Sequence, residues 1–347
     1  MTCIFIQENT GFCCIAGNDT LNICFMGDMM MHADQIKKAE KGDGSHDYSS
    51  YFSLLSDKIN EADLAVANIE FTLAGEPYTG YPCFSAPDTF AEYIADCGFN
   101  VFLAANNHIF DKGSKGASRT LKTFRELERS HGICFTGLAE DAEERDDNTP
   151  LIIRSKGIKV AFINFTYGTN LGNGALWPKT NYEGEKGFLK DALARAETNA
   201  DVTIALPHWG AEYLLHHSER QKETAEWLIK NGADIIIGSH PHVVQDTAVI
   251  NDVQVVYSLG NAVSNMSAVN TQIEYMANVR IVKKPDGGHE ILPIELTWLW
   301  CSRPGGYGDN YIVVPIEEHI GSKDAWLGQW EYHKMMNTYR SVRNTIE

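Results

Sequence analysis

The stretch Ala233-Asp234-Ile235-Ile236-Ile237-Gly238-Ser239-His240-Pro241-His242 decides how the rest of the chain is read. Its first half is short, apolar and β-branched, the composition of a buried strand. Two histidines one residue apart at the end of such a strand point to the same side of the chain. Imidazoles converging just outside the carboxyl end of a strand are hard to account for by packing. They point to a metal site, and so to an enzyme, provided that partners occur elsewhere.

Working outward, short apolar runs alternate with helical patterns. Strands read at residues 21–26, within 62–69, and at 98–105, 159–165, 201–206, 234–237 and 253–257. Helical periodicity covers 90–97, 118–131, 186–199 and 219–231, with Gly132 and Gly232 where helices should stop. This alternation implies βα units and a largely parallel sheet. After Lys283 the character changes. Pro285-Asp286-Gly287-Gly288 reads as a hairpin turn between strands at 277–282 and 290–295. A late strand at 311–316 and a closing helix at 325–344 follow, and Trp298, Trp300, Trp326 and Trp330 are expected to pack this tail on the main body. The organisation expected is an N-terminal extension (1–20), a main domain (21–300) and a C-terminal strand and helix packed on it (301–347).

The 347 residues suffice for one large α/β domain or two modest ones, and 44% apolar with 22% charged residues is ordinary for a globular protein. Lys and Arg number 29 against 46 Asp and Glu, so the net charge is 29 − 46 = −17. That argues against a basic nucleic-acid groove and against docking to anionic lipid. It would also repel a polyanionic substrate unless bound cations reverse the sign locally. The eight cysteines show no C-x-x-C spacing, and several, such as Cys24, lie inside apolar runs. Reduced, buried cysteines in a cytoplasmic protein are the simplest expectation. No stretch reaches membrane-spanning length. The first twenty residues carry no Lys or Arg and do not resemble a secretory signal. A removed signal or anchor is the alternative, and would make the protein extracellular. The oligomeric state is not legible.

Polar clusters follow nearly every strand. Gly27-Asp28 ends the first and Asn68-Ile69-Glu70 the second; Asn106-Asn107-His108, with Asp111, follows the third. Pro207-His208-Trp209-Gly210 and Gly238-Ser239-His240-Pro241-His242 follow two later ones. Ligands of open α/β sheets bind beyond the carboxyl ends of the strands, so five such clusters would meet at one edge. Each has an ordinary alternative. Asp28 could cap a helix, Glu70 could lie on the surface, Asn106 and Asn107 could be turn residues, and His208 could be a core histidine. The set suits hydrolysis of a phosphate ester or similar bond. One carboxylate can bridge two cations, neutral His and Asn complete the coordination, and a metal-activated hydroxide attacks in line. Mixed oxygen and nitrogen ligands favour Mn, Fe or Zn over Ca or Mg. A histidine that is not a ligand then serves the leaving group.

The order of these motifs resembles the CapA family, bacterial capsule (poly-γ-glutamate) synthesis proteins, over residues 21–300. Ala105-Asn106-Asn107-His108-Ile109-Phe110-Asp111-Lys112-Gly113, His208-Trp209-Gly210-Ala211-Glu212-Tyr213 and Tyr257-Ser258-Leu259-Gly260-Asn261 carry it together with the clusters above. The resemblance implies a calcineurin-like metallophosphoesterase fold, an α/β four-layer α-β-β-α sandwich with mixed sheets. It implies one or two divalent cations. Asp28, Glu70 and His242 would hold the first; Asn107, His208 and His240 would hold the second, with Glu70 bridging. His108 would be the catalytic acid, and Asn106, Asp111, Glu212 and Asn261 would support the site or the substrate. Glu212 is equally readable as a surface carboxylate. Two positions depart from the pattern. Met30 stands where related phosphoesterases have a metal-binding His, so a lone cation is expected on the His208, His240 and Asn107 side. Ala262 stands where the family has Phe, which would alter a pocket wall. The expected activity is a CapA-type metal-dependent hydrolase acting on a small molecule or γ-glutamyl polymer. The alternatives are a non-catalytic binder of polyanionic poly-γ-glutamate and a general phosphatase or nucleotidase sharing the fold.

Overall fold

The computed structural model describes residues 20–172 and 176–347. The expected N-terminal extension lies outside these residues except for its last position, as do Cys3, Cys13 and Cys14. The strands, in chain order, are β1 (Thr20–Met29), β2 (Leu64–Ile69), β3 (Val101–Leu103), β4 (Cys134–Thr136), β5 (Leu138–Ala139), β6 (Leu151–Ser155), β7 (Ile158–Thr166) and β8 (Lys179–Thr180). They continue with β9 (Val202–His208), β10 (Ile235–Ile237), β11 (Thr247–Ile250), β12 (Val253–Val256), β13 (Ile273–Lys283), β14 (His289–Ile291), β15 (Glu295–Ser302) and β16 (Ile312–Pro315). The helices are α1 (Ala33–Ala39), α2 (Ser56–Asn60), α3 (Asp88–Asp96), α4 (Gly113–His131), α5 (Ala142–Asp147), α6 (Lys186–Asn199), α7 (Glu219–Lys230) and α8 (Gln329–Ile346).

Among the described residues these strands form two large sheets. The first runs β16-β15-β13-β1-β2-β3-β4, with β14 beside β13; the second runs β11-β12-β10-β9-β7-β6. Each has a parallel block, β1 to β4 and β7-β9-β10-β12, flanked by antiparallel strands. The sheets are therefore mixed rather than largely parallel, because the β6–β7 hairpin opens the second parallel block and later strands return antiparallel at the sheet edges.

Strand alternation explains the layering. Leu21, Ile23 and Phe25 of β1 face a core shared with Val160 and Phe162 of β7 and Ile204 of β9, and the rings of Phe25 and Phe162 lie 6.4 Å apart. Cys24 and Met26 face the other way, onto Phe90 and Ile94 of α3 and Leu121 and Phe124 of α4. A third core joins Ile163, Phe165, Ala205 and Ile236 to Leu189 and Leu193 of α6 and Leu228 of α7. Three apolar cores separate four layers, α-β-β-α. Each fully buried Leu, Ile or Phe contributes about 1.5–3 kcal/mol of transfer free energy to holding them together.

Helix ends follow local chemistry. Ser218 caps α7 in a capping box with Gln221, and α4 stops at Gly132, whose φ of 70° suits glycine. The tail differs from expectation in three ways. Residues 290–295 are not one strand, because Pro293 separates β14 from β15. The closing helix starts after Gly328, preceded by a 3-10 turn at Lys323–Ala325. Trp298, Trp300 and Trp326 are buried, whereas Trp330 is 61% exposed. β16 extends the first sheet on β15, and Tyr332, Met335, Tyr339 and Val342 of α8 enter the inter-sheet core. Short α1 and α2 carry few apolar residues, and the edge strand β6 is a five-residue run with no fully buried position, so none was read from the sequence. Among the described residues, no helix is long and apolar enough to cross a membrane, and the five cysteines are unpaired.

Candidate metal centre

The site is assembled where β1, β2 and β3 of the first sheet end beside β9 and β10 of the second. At the end of β1 the backbone passes so close to the segment after Leu259 that a Cβ on Gly27 would lie 1.9 Å from the Gly260 carbonyl oxygen. That approach lets the Asp28 amide donate to the Gly260 carbonyl at 3.0 Å, and the β1–β2 register shifts between Met26 and Asp28. Gly238 is needed for the same reason, since a Cβ there would meet the Tyr257 carbonyl at 2.2 Å and Trp209 Nε1 at 2.3 Å.

His240 and His242 converge by a different route from strand alternation. β10 ends at Ile237, and both histidines sit in turn conformations with positive φ, 101° and 59°. Such backbone is strained for non-glycine residues and survives where the surroundings enforce it. The rings lie 5.8 Å apart and serve different neighbours.

Asp28, Glu70, Asn107, His108, His208, His240 and His242 are all buried and meet in one cluster. Glu70 is at its centre. Its Oε1 lies 3.8 Å from His208 Nε2, 3.8 Å from His242 Nε2 and 3.9 Å from His108 Nε2. These distances exceed a hydrogen bond, and neither Glu70 oxygen has a partner; nor does His240 Nδ1. Asp28 is satisfied: Oδ1 accepts from the Asn68 amide at 2.7 Å, and Oδ2 accepts from the His240 backbone amide at 3.2 Å and lies 3.4 Å from His242 Nδ1. Two groups bring their ligand-type atoms within 4.8 Å of one another, Asp28-Glu70-His242 and Glu70-His208-His240. Asn107 Oδ1 joins the second group, 2.8 Å from His208 Nε2.

Three of the imidazoles, those of His208, His242 and His108, are oriented through Nδ1. His208 Nδ1 faces Ser239 Oγ at 2.9 Å and the Asn68 amide at 3.3 Å. His242 Nδ1 faces Asn261 Oδ1 at 2.8 Å, and the Asn261 amide donates to the carbonyls of His242 and Thr271. His108 Nδ1 faces Asp111 Oδ2 at 2.7 Å, an oxygen that also accepts from the Phe84 amide. Asn106 ties two strand ends together: its amide donates to the Ile69 carbonyl, and its Oδ1 accepts from the His108 amide.

The electrostatics follow from burying so many ionisable groups. Burial, with the Asp28 charge added to it, drives the Glu70 carboxyl well above the usual carboxylate range. Burial opposes the Asp28 charge too, but His242, His208 and Asn68 outweigh it and hold Asp28 below that range. Burial, then neighbouring imidazoles, push His208 and His240 down, His240 to about 3. Burial also opposes a charged His242, but the Asp28 carboxylate outweighs it and raises that imidazole. Two carboxylates in one dry pocket cannot both ionise without compensating positive charge. The partnerless Glu70 oxygens and His240 Nδ1, with neutral imidazoles and an amide oxygen beside them, are the donor set that divalent cations would satisfy.

Comparison with known proteins places this architecture. The sequence pattern of the family described as bacterial capsule synthesis protein PGA_cap matches residues 22–266. The chain belongs to that family. It is 27% identical over 293 residues to the PGA biosynthesis protein CapA of Bacillus subtilis, covering 80% of this chain and 72% of the relative. It is 28% identical over 291 residues to the capsule biosynthesis protein CapA of Bacillus anthracis, covering 80% and 67%. Among solved structures, a Staphylococcus aureus protein assigned as a 5'-nucleotidase, in complex with alpha-ketoglutarate, superposes with a TM-score of 0.54 at 14% identity. The match covers 80% of this chain but only 54% of that one, so the chain spans about half its length. The PGA_cap chain thus has the calcineurin-like metallophosphoesterase fold.

Several neighbours of the PGA_cap site were not assigned from the sequence. Asn68 and Ser239 lie inside quoted motifs, but their roles emerge only from their contacts with Asp28 and His208. Asn170 reaches Asn107 at 3.4 Å and both His108 ring nitrogens at 3.4 Å from a loop without any motif. The Tyr167 ring lies against His240, tilted by 41° with centroids 4.5 Å apart. His32 stands on the wall of a cavity of about 720 Å³ beside the cluster. Met30 lines the same cavity and offers only a thioether, and Glu212 lies exposed on its rim. Ala262 does not line this cavity: it packs in the core between the first sheet and its helices, so the missing Phe leaves these walls unaltered.

Proposed function

We propose that this PGA_cap protein is a metal-dependent hydrolase of phosphoesterase type, acting in capsule or poly-γ-glutamate biosynthesis. One observation carries the reading. A fully buried glutamate, Glu70, has no hydrogen-bond partner on either oxygen while three imidazole nitrogens stand 3.8–3.9 Å from one of them. An unpaired buried carboxylate is costly, and cations shared with those imidazoles remove the cost.

Asp28, Glu70 and His242 would hold one divalent cation; Glu70, Asn107, His208 and His240 would hold another. Mn, Fe or Zn suits these donors. When bound, such cations make water nucleophilic near neutral pH and neutralise charge on the scissile group. The chain's own residues do the rest. Asp111 fixes the His108 ring through Nδ1, leaving Nε2 directed at Glu70 and the cavity. His108 can therefore hold a proton at Nε2 and deliver it to a leaving-group oxygen as a general acid. Phe84, edge-on to His108 at 4.7 Å, keeps that ring from turning.

Among the described residues no Lys or Arg lines the cavity. A polyanion clamp would have no permanently cationic side chain there to hold carboxylates with, which favours hydrolysis over simple polymer binding. Metal analysis of the purified protein after Mn or Zn addition, with turnover assays on phosphoesters and γ-glutamyl compounds, tests the proposal. Bound metal with turnover supports it. No bound metal and no turnover of any such compound ends it.

A further inference from the structure

We propose that the cavity beside the cluster is a specificity subsite for a flat, uncharged ring carrying hydrogen-bond donors, attached to the leaving-group side of the substrate. Tyr81 and Tyr213 are its aromatic walls and Glu212 its acceptor. The inference rests on the hydrolase reading for what happens at the cations, but not for the binding itself.

The walls favour an uncharged occupant. Around a volume of about 720 Å³, enough for a drug-sized group, apolar Met30, Pro82, Leu171 and Met266 stand beside the neutral polar Asn170, Asn265 and Ser267. The acidic groups in the wall are Asp111, committed to His108, and the exposed Glu212. Among the described residues, an anionic group beyond the reacting centre would find no Lys or Arg here, only neutral donors such as Asn170, Asn265 and Ser267, and would meet Glu212 and a chain of net charge −17. Ring N–H or O–H donors would find an acceptor in Glu212.

The aromatic walls are poised rather than packed. Tyr81 is 74% exposed and Tyr213 42% exposed, although both line the cavity. They come from opposite sides, Tyr81 from the loop after β2 and Tyr213 from the loop after β9, and their phenols are close enough to influence each other electrostatically. Each stands one ring from the cluster. Tyr213 lies 6.3 Å from the His242 ring, and Tyr81 lies 6.5 Å from Phe84, itself 4.7 Å from His108. Tyr213 is further held with φ of 68°, its amide donating at 2.8 Å to the carbonyl of Pro241, between the two site histidines. Strained backbone at a solvent-facing aromatic residue contributes nothing to a core, and such strain gathers at ligand sites. Exposed aromatic faces stack on flat rings with little demand for a particular ring.

The test uses the Mn-loaded chain with two esters, adenosine 5′-monophosphate, which carries a flat ring with an amino donor, and glycerol phosphate, which has no ring. The readout is the ratio of kcat/KM for the two. Tyr81→Ala, and Tyr213→Asn, which removes the ring while tolerating left-handed backbone, should each lower that ratio about tenfold through KM. Tyr81→Phe and Tyr213→Phe should keep it within about twofold, and Glu212→Gln should lower it less than either ring deletion. An unchanged ratio in both ring deletions, or equal loss in the Phe variants, overturns the subsite. If neither ester is turned over, the hydrolase reading is judged separately by metal content and the wider set of phosphoester and γ-glutamyl compounds. Calorimetric binding of adenosine 5′-monophosphate then decides: binding lost in Tyr213→Asn and kept in Tyr213→Phe supports the subsite, and no binding to the unaltered protein overturns it.

Discussion

The two halves of the cluster are built differently although they share Glu70. On one side Asp28 and His242 form a charged, hydrogen-bonded pair, braced by Asn68 and Asn261. On the other, His208 and His240 are neutral imidazoles pressed down by burial, with Asn107 as an uncharged companion and one ring nitrogen unpartnered. The first half is already satisfied by its own protein partners, and the position that would add a nitrogen donor is Met30. The second half has more donors and no formal charge of its own, and one of its donors, His240 Nδ1, has no partner. Asp28 gives up hydrogen bonds on both oxygens to take a cation, whereas His240 Nδ1 gives up nothing. The second half should therefore be the stronger site.

The most severe challenge to this comparison removes what the halves share. Glu70→Gln keeps the shape but withdraws the charge facing both, and should reduce metal to substoichiometric levels and turnover by at least about 10³-fold; elemental analysis beside a phosphoester assay reads both. His108→Ala separates chemistry from metal holding. Turnover should fall by about 10²–10⁴-fold, with metal content unchanged; parallel loss of metal would mean His108 is a ligand. The pair His240→Ala and His242→Ala addresses the asymmetry itself. In protein carrying a single equivalent of Mn, His240→Ala should lose it and His242→Ala should retain most of it, measured by electron paramagnetic resonance. The reverse order would invert the comparison. Met30→His should raise bound metal toward two equivalents by supplying the missing donor. The mildest change is Asn261→Ala, which releases the His242 ring without removing it. Metal affinity of the first half should drop about 10–100-fold, seen only when both halves are loaded.

Much of this was legible because the signals are local. Apolar runs ending in Asp28, Glu70 and His208 announce strands whose polar tips lie at one edge, and residues 186–199 read directly as the helix found there. What escaped was either short or non-local. The edge strand Leu151–Ser155 alternates between half-buried and exposed positions, and Ala33–Ala39 is under two turns of helix. Asn170 has no motif, because its role depends on where a loop crosses the site. The acceptor of His242 Nδ1 is likewise invisible without coordinates, since Asn261 lies nineteen residues away.

The sequence by itself determined which chemical groups the site can hold and that they stand at strand ends, because residue type and two-residue periodicity are properties of the chain alone. Tertiary structure decided how they converge. His240 and His242 were expected to share a side through strand alternation, yet the strand stops at Ile237 and positive-φ turns set each ring into its own group of ligand atoms around Glu70. Such backbone is unfavourable in an isolated segment and survives only because the folded surroundings enforce it, among them the Asp28 carboxylate that accepts from the His240 amide. The same is true of the partnerless Glu70: its identity is written in the sequence, but its lack of a partner is a property of three dimensions.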